Sequence, residues 1–420
     1  MKGKLEDRPE PLSLKSNMIW NSFGSMFYLG CQWLITVLVV RLSTGFDDAG
    51  LLSLATSVVG VFSTFANYKT NTIQVSDIHR DYSFAEYLGF RCITLSIAFV
   101  ACLAYAFITC PLYSVATIAL YYFYKGLALL IDVLHGEDQL NRRMDYAGKS
   151  FCLQGIVSIT AFSAALLLFN NLNAAIISMI IGEALVLVVY DARVTSSFQT
   201  VIPRITISRA LQLLIRTFPA VVASVAASSL LTIPKQYLLQ AEGSASLGIY
   251  SSIAAPTLII QMGAQYLYGP LLDIFPRKFF DEGVSSFKSL LLRTSASISL
   301  VAVVCSLGLM VVGKPVLTVF FGEEITQYVY LLQPMLLSTI ATAFLWFFGD
   351  LMVSIRDFSA YLVGNMLALI FVVPMGVFLI NQYGMNGVSF AASAASALGV
   401  AWMLVNLIHD MKKAKKNNNY

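Results

Sequence analysis

Apolar runs of about twenty residues recur about twelve times along the chain, separated by short polar turns. They lie near 18–40, 49–66, 87–109, 112–134, 151–170, 173–192, 217–234, 248–269, 289–312, 327–349, 359–380 and 387–408. A helix of about twenty residues crosses the hydrocarbon of a bilayer. In that solvent every backbone N–H and C=O must be satisfied within its own segment, so each run must be helical. Composition agrees: 57% of the 420 residues are hydrophobic and only 12% are charged. An ordinary soluble domain carries about 25% charged residues. A surface this poor in charge faces lipid. The expected fold class is an all-α polytopic membrane protein with about twelve transmembrane helices. A soluble enzyme, a nucleic-acid binder and a disordered chain are excluded.

Charge orients the bundle. Place the N-terminus in the cytoplasm and let the spans alternate. All 27 Lys and Arg residues except Arg41, Lys125, Lys235 and Lys314 then fall on the cytoplasmic side. The inverted arrangement would break the positive-inside rule almost everywhere. Both termini are therefore expected in the cytoplasm. Residues 1–16 form a polar arm without the features of a cleavable signal peptide. Residues 17–192 form a first lobe and 193–216 a linker carrying Arg193, Arg204, Arg209 and Arg216. Residues 217–408 form a second lobe and 409–420 a basic tail. Paired six-helix lobes around a central substrate path are a common transporter plan. VVRLSTGFDDAGLLSLATS after the first span and TIPKQYLLQAEGSASLGIYSSI after the seventh hint at duplication. In each, a basic residue ends the span and a glycine opens the next helix.

Covalent chemistry finds no foothold. No loop is long enough to hold a catalytic or nucleotide-binding domain. Gly148-Lys149-Ser150 ends like a phosphate loop, but Arg143 stands where the glycine is required, and no strand precedes it. Cys31, Cys92, Cys102, Cys110, Cys152 and Cys305 form no CxxC pair and read as small hydrophobes in helices. His79, His135 and His409 fall at cytoplasmic span ends and read as interfacial. No metal, no cofactor and no enzymatic activity are expected.

Polar stripes mark particular helix faces. Residues three or four apart share a face. The first span carries Asn17, Asn21, Ser25, Tyr28, Gln32 and Thr36; the second runs from Ser53 to Asn67 and Asn71. The seventh carries Ser224, Ser228, Thr232 and Gln236; the eighth carries Thr257, Gln261 and Gln265. Such faces either glue helices together or line a wet cavity. For Asn21, Ser25, Gln32, Asn67, Gln261 and Gln265 a cavity is the expectation. Two charges sit deep: Lys125 in the fourth span and Glu183 in the sixth. A charge at the bilayer centre costs at least about 2.5–3.5 kcal/mol, so it pairs or lines water. Asp132 lies on the face of Lys125, about 10 Å nearer the cytoplasm. Tyr121, Tyr122 and Tyr124 surround Lys125 in sequence.

These residues carry a resemblance. IWNSFGSMFYLGCQWLITVLVVRL with DDAGLLSLATSV looks like the opening hairpin of the polysaccharide flippases of the multidrug/oligosaccharidyl-lipid/polysaccharide exporter superfamily. QVSDIHRDYSFAEYLGFR is similar to that family's first cytoplasmic loop. YKGLALLIDVLHGEDQLNRRMDYAGKS is the most specific match, and IPKQYLLQAEGSASLGIYSSIAAP looks like the opening of the second lobe. Lys235 stands where the family often has Arg, and the C-terminal third matches only in hydropathy and span count.

The resemblance implies a V-shaped pair of lobes in the bacterial inner membrane, working by alternating access. The implied cargo is an undecaprenyl-diphosphate-linked oligosaccharide for capsule, exopolysaccharide or O antigen. A polysaccharide polymerase and chain-length machinery are implied partners, besides membrane lipid. Arg41, Lys125 and Arg356 would hold the anionic headgroup. Glu183, with Asp132, would couple or gate, taking H+ or Na+. The alternatives are a multidrug or peptidoglycan-precursor exporter of the same superfamily and a membrane-embedded polymerase.

Overall fold

The structure is a computed structural model that describes residues 10–77, 81–272 and 274–417. Residues 1–9 of the N-terminal arm, His79 and residues 418–420 of the tail lie outside the described residues. Among the described residues there is helix and turn but no strand. Among the described residues eleven helices are long and apolar enough to cross a membrane. One of them, Val221–Gln265, has 45 residues. It contains Gly243 at φ 89, where two helices meet end to end. It supplies two spans, so about twelve crossings result, as the apolar runs predict.

The chain divides into two compact units, Met1–Val221 and Val222–Tyr420. The first unit contains α1 (Leu14–Leu42), α2 (Asp47–Asn67), the short α3 (Thr70–Ser76), α4 (Phe84–Thr109), α5 (Leu112–Leu140) and α6 (Met144–Phe169). It continues with α7 (Leu172–Val186), a π turn over Leu187–Asp191, and α8 (Ala192–Thr195). The segment 196–206 is not helical, and α9 (Ile207–Ala254) begins inside the stretch expected as a linker. The unit boundary falls within α9, not in a loop.

Within the first unit α1 lies against α6, and α5 packs on α2, α4 and α7. The approach of α1 to α6 is set by glycine. A Cβ on Gly24 would lie 2.4 Å from the Gly148 carbonyl oxygen, and one on Gly148 would lie 2.4 Å from that of Trp20. The Gly148-Lys149-Ser150 triplet is thus a helix crossing, with no phosphate to cradle. The loop signatures are anchors. Asp77 accepts from the N–H groups of Asp81 and Tyr82 and from the Tyr87 hydroxyl. Ser83 and Glu86 form a capping box that starts α4. Asp145 is held by Arg143 at 2.8 Å and Lys149 at 3.3 Å, and Asn17 Oδ1 accepts from the Met144 N–H.

The second unit holds the rest of α9, α10 (Leu258–Tyr268), α11 (Ile274–Phe280) and α12 (Val284–Phe321). After a 3-10 stretch follow α13 (Leu332–Ser354), α14 (Phe358–Tyr383) and α15 (Met385–Asn417). Its core is aromatic, with Tyr268, Phe275, Phe287 and Phe347 fully buried. The α14–α15 crossing again rests on glycine, at Gly364 and Gly399.

One helix in each unit is bracketed by residues of positive φ. Arg142 and Asn170 have positive φ and bracket α6, which has 26 residues. Arg356 and Gly384 have positive φ and bracket α14, which also has 26 residues.

Several expected positions move. Lys235 is not at a span end: α9 runs past Pro234 to Gly243, leaving Lys235 about two turns inside. Arg91 is no loop residue. It is fully buried in α4, where it donates to the Ala66 carbonyl and to Asp132. His135 is not interfacial, because α5 continues six residues past Leu134 and takes it into the interior. Cysteines at the exposed Asn171 at the start of α7, Ala241 just before the Gly243 break of α9, and Gln382 at the end of α14 test the orientation. Membrane-impermeant maleimide should label all three from outside the cell; labelling of any from the cytoplasmic face alone would overturn the arrangement.

A buried polar column in the first unit

The deep charges meet on the inner faces of α1, α5, α6 and α7. Tyr124, fully buried on α5, is the hub. Its hydroxyl accepts from Gln32 Nε2 at 2.8 Å and lies 3.2 Å from Ser158 Oγ and 3.4 Å from the Tyr28 hydroxyl. The Lys125 ammonium sits 5.7 Å from the Tyr124 ring centre and 6.0 Å from that of Tyr28. That is the outer range of a cation–π contact. Glu183 is fully buried on α7, and neither carboxylate oxygen has a hydrogen-bond partner. It senses the charges of Lys125, Asp191 and His135. Lys125 and Glu183 share a field but form no direct ion pair, unlike the pairing considered from sequence.

A second layer lies toward the end where α5 finishes. His135 Nε2 is 3.2 Å from Asp191 Oδ1, and Ser150 Oγ donates to Asp191 Oδ2 at 2.9 Å. Gln154 donates to Ser150, and Thr195 donates to Asp138 Oδ1 at 3.3 Å. The π turn makes this layer possible. In a regular α-helix Asp191 would stand about 80° around from Glu183. A π turn inserts one residue, which brings Asp191 within about 20° of the same line. Val188 and Val189 are correspondingly turned outward, 67% and 62% exposed.

Asp132 belongs to a separate cluster. Arg91 Nη2 lies 3.1 Å from its Oδ2, and Asn71 Nδ2 lies 3.0 Å from its Oδ1. Gln74 of the QVSD stretch donates to the Val133 carbonyl beside it. This knot fastens α3 and α4 to α5. Arg41 lies in the last turn of α1, about 20 Å along the axis from Tyr28, so it does not join Lys125. Arg356 is exposed in the second unit, at the end of α13. Asn21 and Ser25 are half-buried on α1, with Ser25 Oγ donating to the Ser22 carbonyl, and Asn67 is half-buried at the end of α2. In the second unit Gln261 donates to Thr342 Oγ1 at 2.6 Å and Thr257 lies 3.0 Å from Thr339, both helix-to-helix bonds. Gln265 is exposed.

Sequence reading missed Arg91, His135, Asp138 and Asp191. The signal available was the spacing of Asp132, His135 and Asp138, three residues apart on one face of α5.

The chain therefore has the architecture of a multi-pass all-α membrane protein with charged and aromatic side chains in the interior of its first unit. No known protein-family profile matches it. Its fold is shared with "Lipid II flippase MurJ, inward closed conformation", at a TM-score of 0.72 and 13% identity over 95% of this chain and 90% of that one. It is shared also with an inward-facing multidrug resistance MATE family transporter of the MOP superfamily, at 0.64 and 12% identity over 94% and 99%. A capsular polysaccharide biosynthesis protein, CapF, of Staphylococcus aureus is 25% identical over 301 residues, 70% of this chain and 74% of the relative.

Proposed function

We propose that this protein is a flippase that carries an undecaprenyl-diphosphate-linked oligosaccharide from the cytoplasmic to the outer leaflet of a bacterial inner membrane. The observation that carries the reading is Lys125. It stands on a mid-membrane helix beside Tyr28 and Tyr124, in the field of Glu183 and without a direct counter-ion among the described residues. A cation so placed suits a diphosphate, and the neighbouring Tyr and Gln side chains suit sugar hydroxyls. The fold supports transport by alternating access. The capsule-biosynthesis relative supports a glycan as cargo. Arg41 and Arg356 would meet the headgroup at the two mouths of the path. Glu183 would take the coupling H+ or Na+ when the diphosphate engages Lys125. No covalent step is required, so the protein is read as a transporter and not an enzyme.

The test is reconstitution. Liposomes holding the full chain and a lipid-linked oligosaccharide should make the glycan accessible to a membrane-impermeant glycan-modifying enzyme on the opposite side. Transport of cationic dyes without flipping of the lipid-linked glycan would overturn this reading in favour of a multidrug exporter.

A further inference from the structure

The second polar layer is not used by the headgroup or by Glu183 as read above. It contains three ionisable side chains that are each at least nine-tenths buried: His135, Asp138 and Asp191. Burying a charged or polar group is costly unless it is satisfied. Yet His135 Nδ1, Asp138 Oδ2 and both oxygens of Glu183 are buried with no hydrogen-bond partner. Asp145, by contrast, is held by both Arg143 and Lys149. The line of unsatisfied atoms descends from Glu183 through the His135–Asp191 pair to Asp138. It ends two residues short of the end of α5, where the exposed Arg142 begins the turn. The π turn that aligns Asp191 under Glu183 is an uncommon element, frequent at functional sites.

We propose that Asp138, His135 and Asp191 form a proton relay joining Glu183 to the aqueous face at the basic end of the first unit. It rests on the reading that Glu183 takes the coupling cation. The relay moves one proton and changes no other bond. Asp138 takes a proton from water and gives it to His135 Nδ1; His135 gives its Nε2 proton to Asp191. Protonated Asp191 passes it to Glu183 through water across the remaining gap of about 10 Å. Asp138 and Asp191 end as they began; His135 ends with its proton on Nδ1 and resets by rotation of its ring before the next transfer. Charged and titratable groups face this line from every packed element, Tyr124 of α5 among them beside Glu183. Lys125, Asp132 and Glu137 face it from α5, and Tyr28 from α1. Tyr146 on α6 and Tyr190 in the π turn face Asp138. The Phe151 ring packs edge-on to His135 at 4.8 Å and shuts lipid from it.

Time-resolved infrared spectroscopy on the purified full chain tests this without any glycan. A carboxyl band that vanishes in Glu183→Gln identifies Glu183. After a jump from about pH 8 to about pH 6, across the ordinary histidine range, that band should rise in the wild type. In His135→Gln and Asp138→Asn it should reach the same height roughly a hundredfold more slowly, the lower end of what a positioned proton-transfer group supplies. Should His135→Gln fail to fold, Asp138→Asn alone decides. Unchanged rates in the folded variants, or a changed height at an unchanged rate, would overturn the relay. A Glu183 band absent at every pH would overturn both the relay and the coupling role of Glu183. The choice of cargo is untouched by any of these results, since reconstituted flipping reads it separately.

Discussion

Lys125→Ala is expected to stop glycan export while the protein still accumulates in the membrane. Losing the cation from a desolvated anion site removes about 2–5 kcal/mol of substrate interaction, enough for roughly a thirtyfold or larger drop. The fold should survive, because Lys125 is only half-buried and makes no direct ion pair among the described residues. The double variant Lys125→Met with Glu183→Gln separates mechanism from scaffold. If the two charges served only to neutralise each other, removing both would leave nothing unpaired and export would return. With Lys125 holding the headgroup and Glu183 holding the cation, the double variant folds and stays silent. Export assays on both variants, normalised to membrane protein level, distinguish the outcomes. Normal export by either would remove this pair from the mechanism.

Gly148→Ala is expected to destabilise the first unit more than an alanine at any lipid-facing glycine. The added methyl would meet the Trp20 carbonyl oxygen at 2.4 Å, and backbone cannot swing aside as a side chain can. The two helices must part, and overpacking of this kind costs about 1–3 kcal/mol. Gly24→Ala should do the same from the other side, because its methyl meets the Gly148 backbone. Gly30 is the control. It lies on the same α1 with open space around it, so Gly30→Ala should be neutral or slightly stabilising. Thermal unfolding in detergent reads all three. Equal melting temperatures for Gly148→Ala and Gly30→Ala would show that the crossing tolerates a wider gap.

The membrane class, the helical fold and the number of crossings were legible because hydrophobicity acts through each residue's own side chain. A twenty-residue apolar run needs no partner to declare itself. The depth of Lys125 and Glu183 was legible for the same reason. Helix ends were less so. The fourth run, which contains Asp132, reads as ending at Leu134, before His135, Glu137 and Asp138, because polar residues read as loop. The structure carries α5 on to Leu140, since those side chains find Arg91, Asp191, Asn141 and Thr195. The bonding partners of Gln32 and Gln261 were not legible either. Each reads as lining a cavity, and each is bonded to a neighbouring helix of its own unit, to Tyr124 and Thr342.

What the chain determined by itself was which segments enter the membrane, which charges go deep and where chemistry is absent. These follow from transfer free energies that are local and additive. What only the tertiary structure decided was which buried polar groups meet. Asp191 reaches the line of Glu183 through one extra residue in a π turn, and Gly148 matters because Trp20 lies across it. Both depend on angles between distant segments, and a helical period read along one strand of sequence contains no such angle.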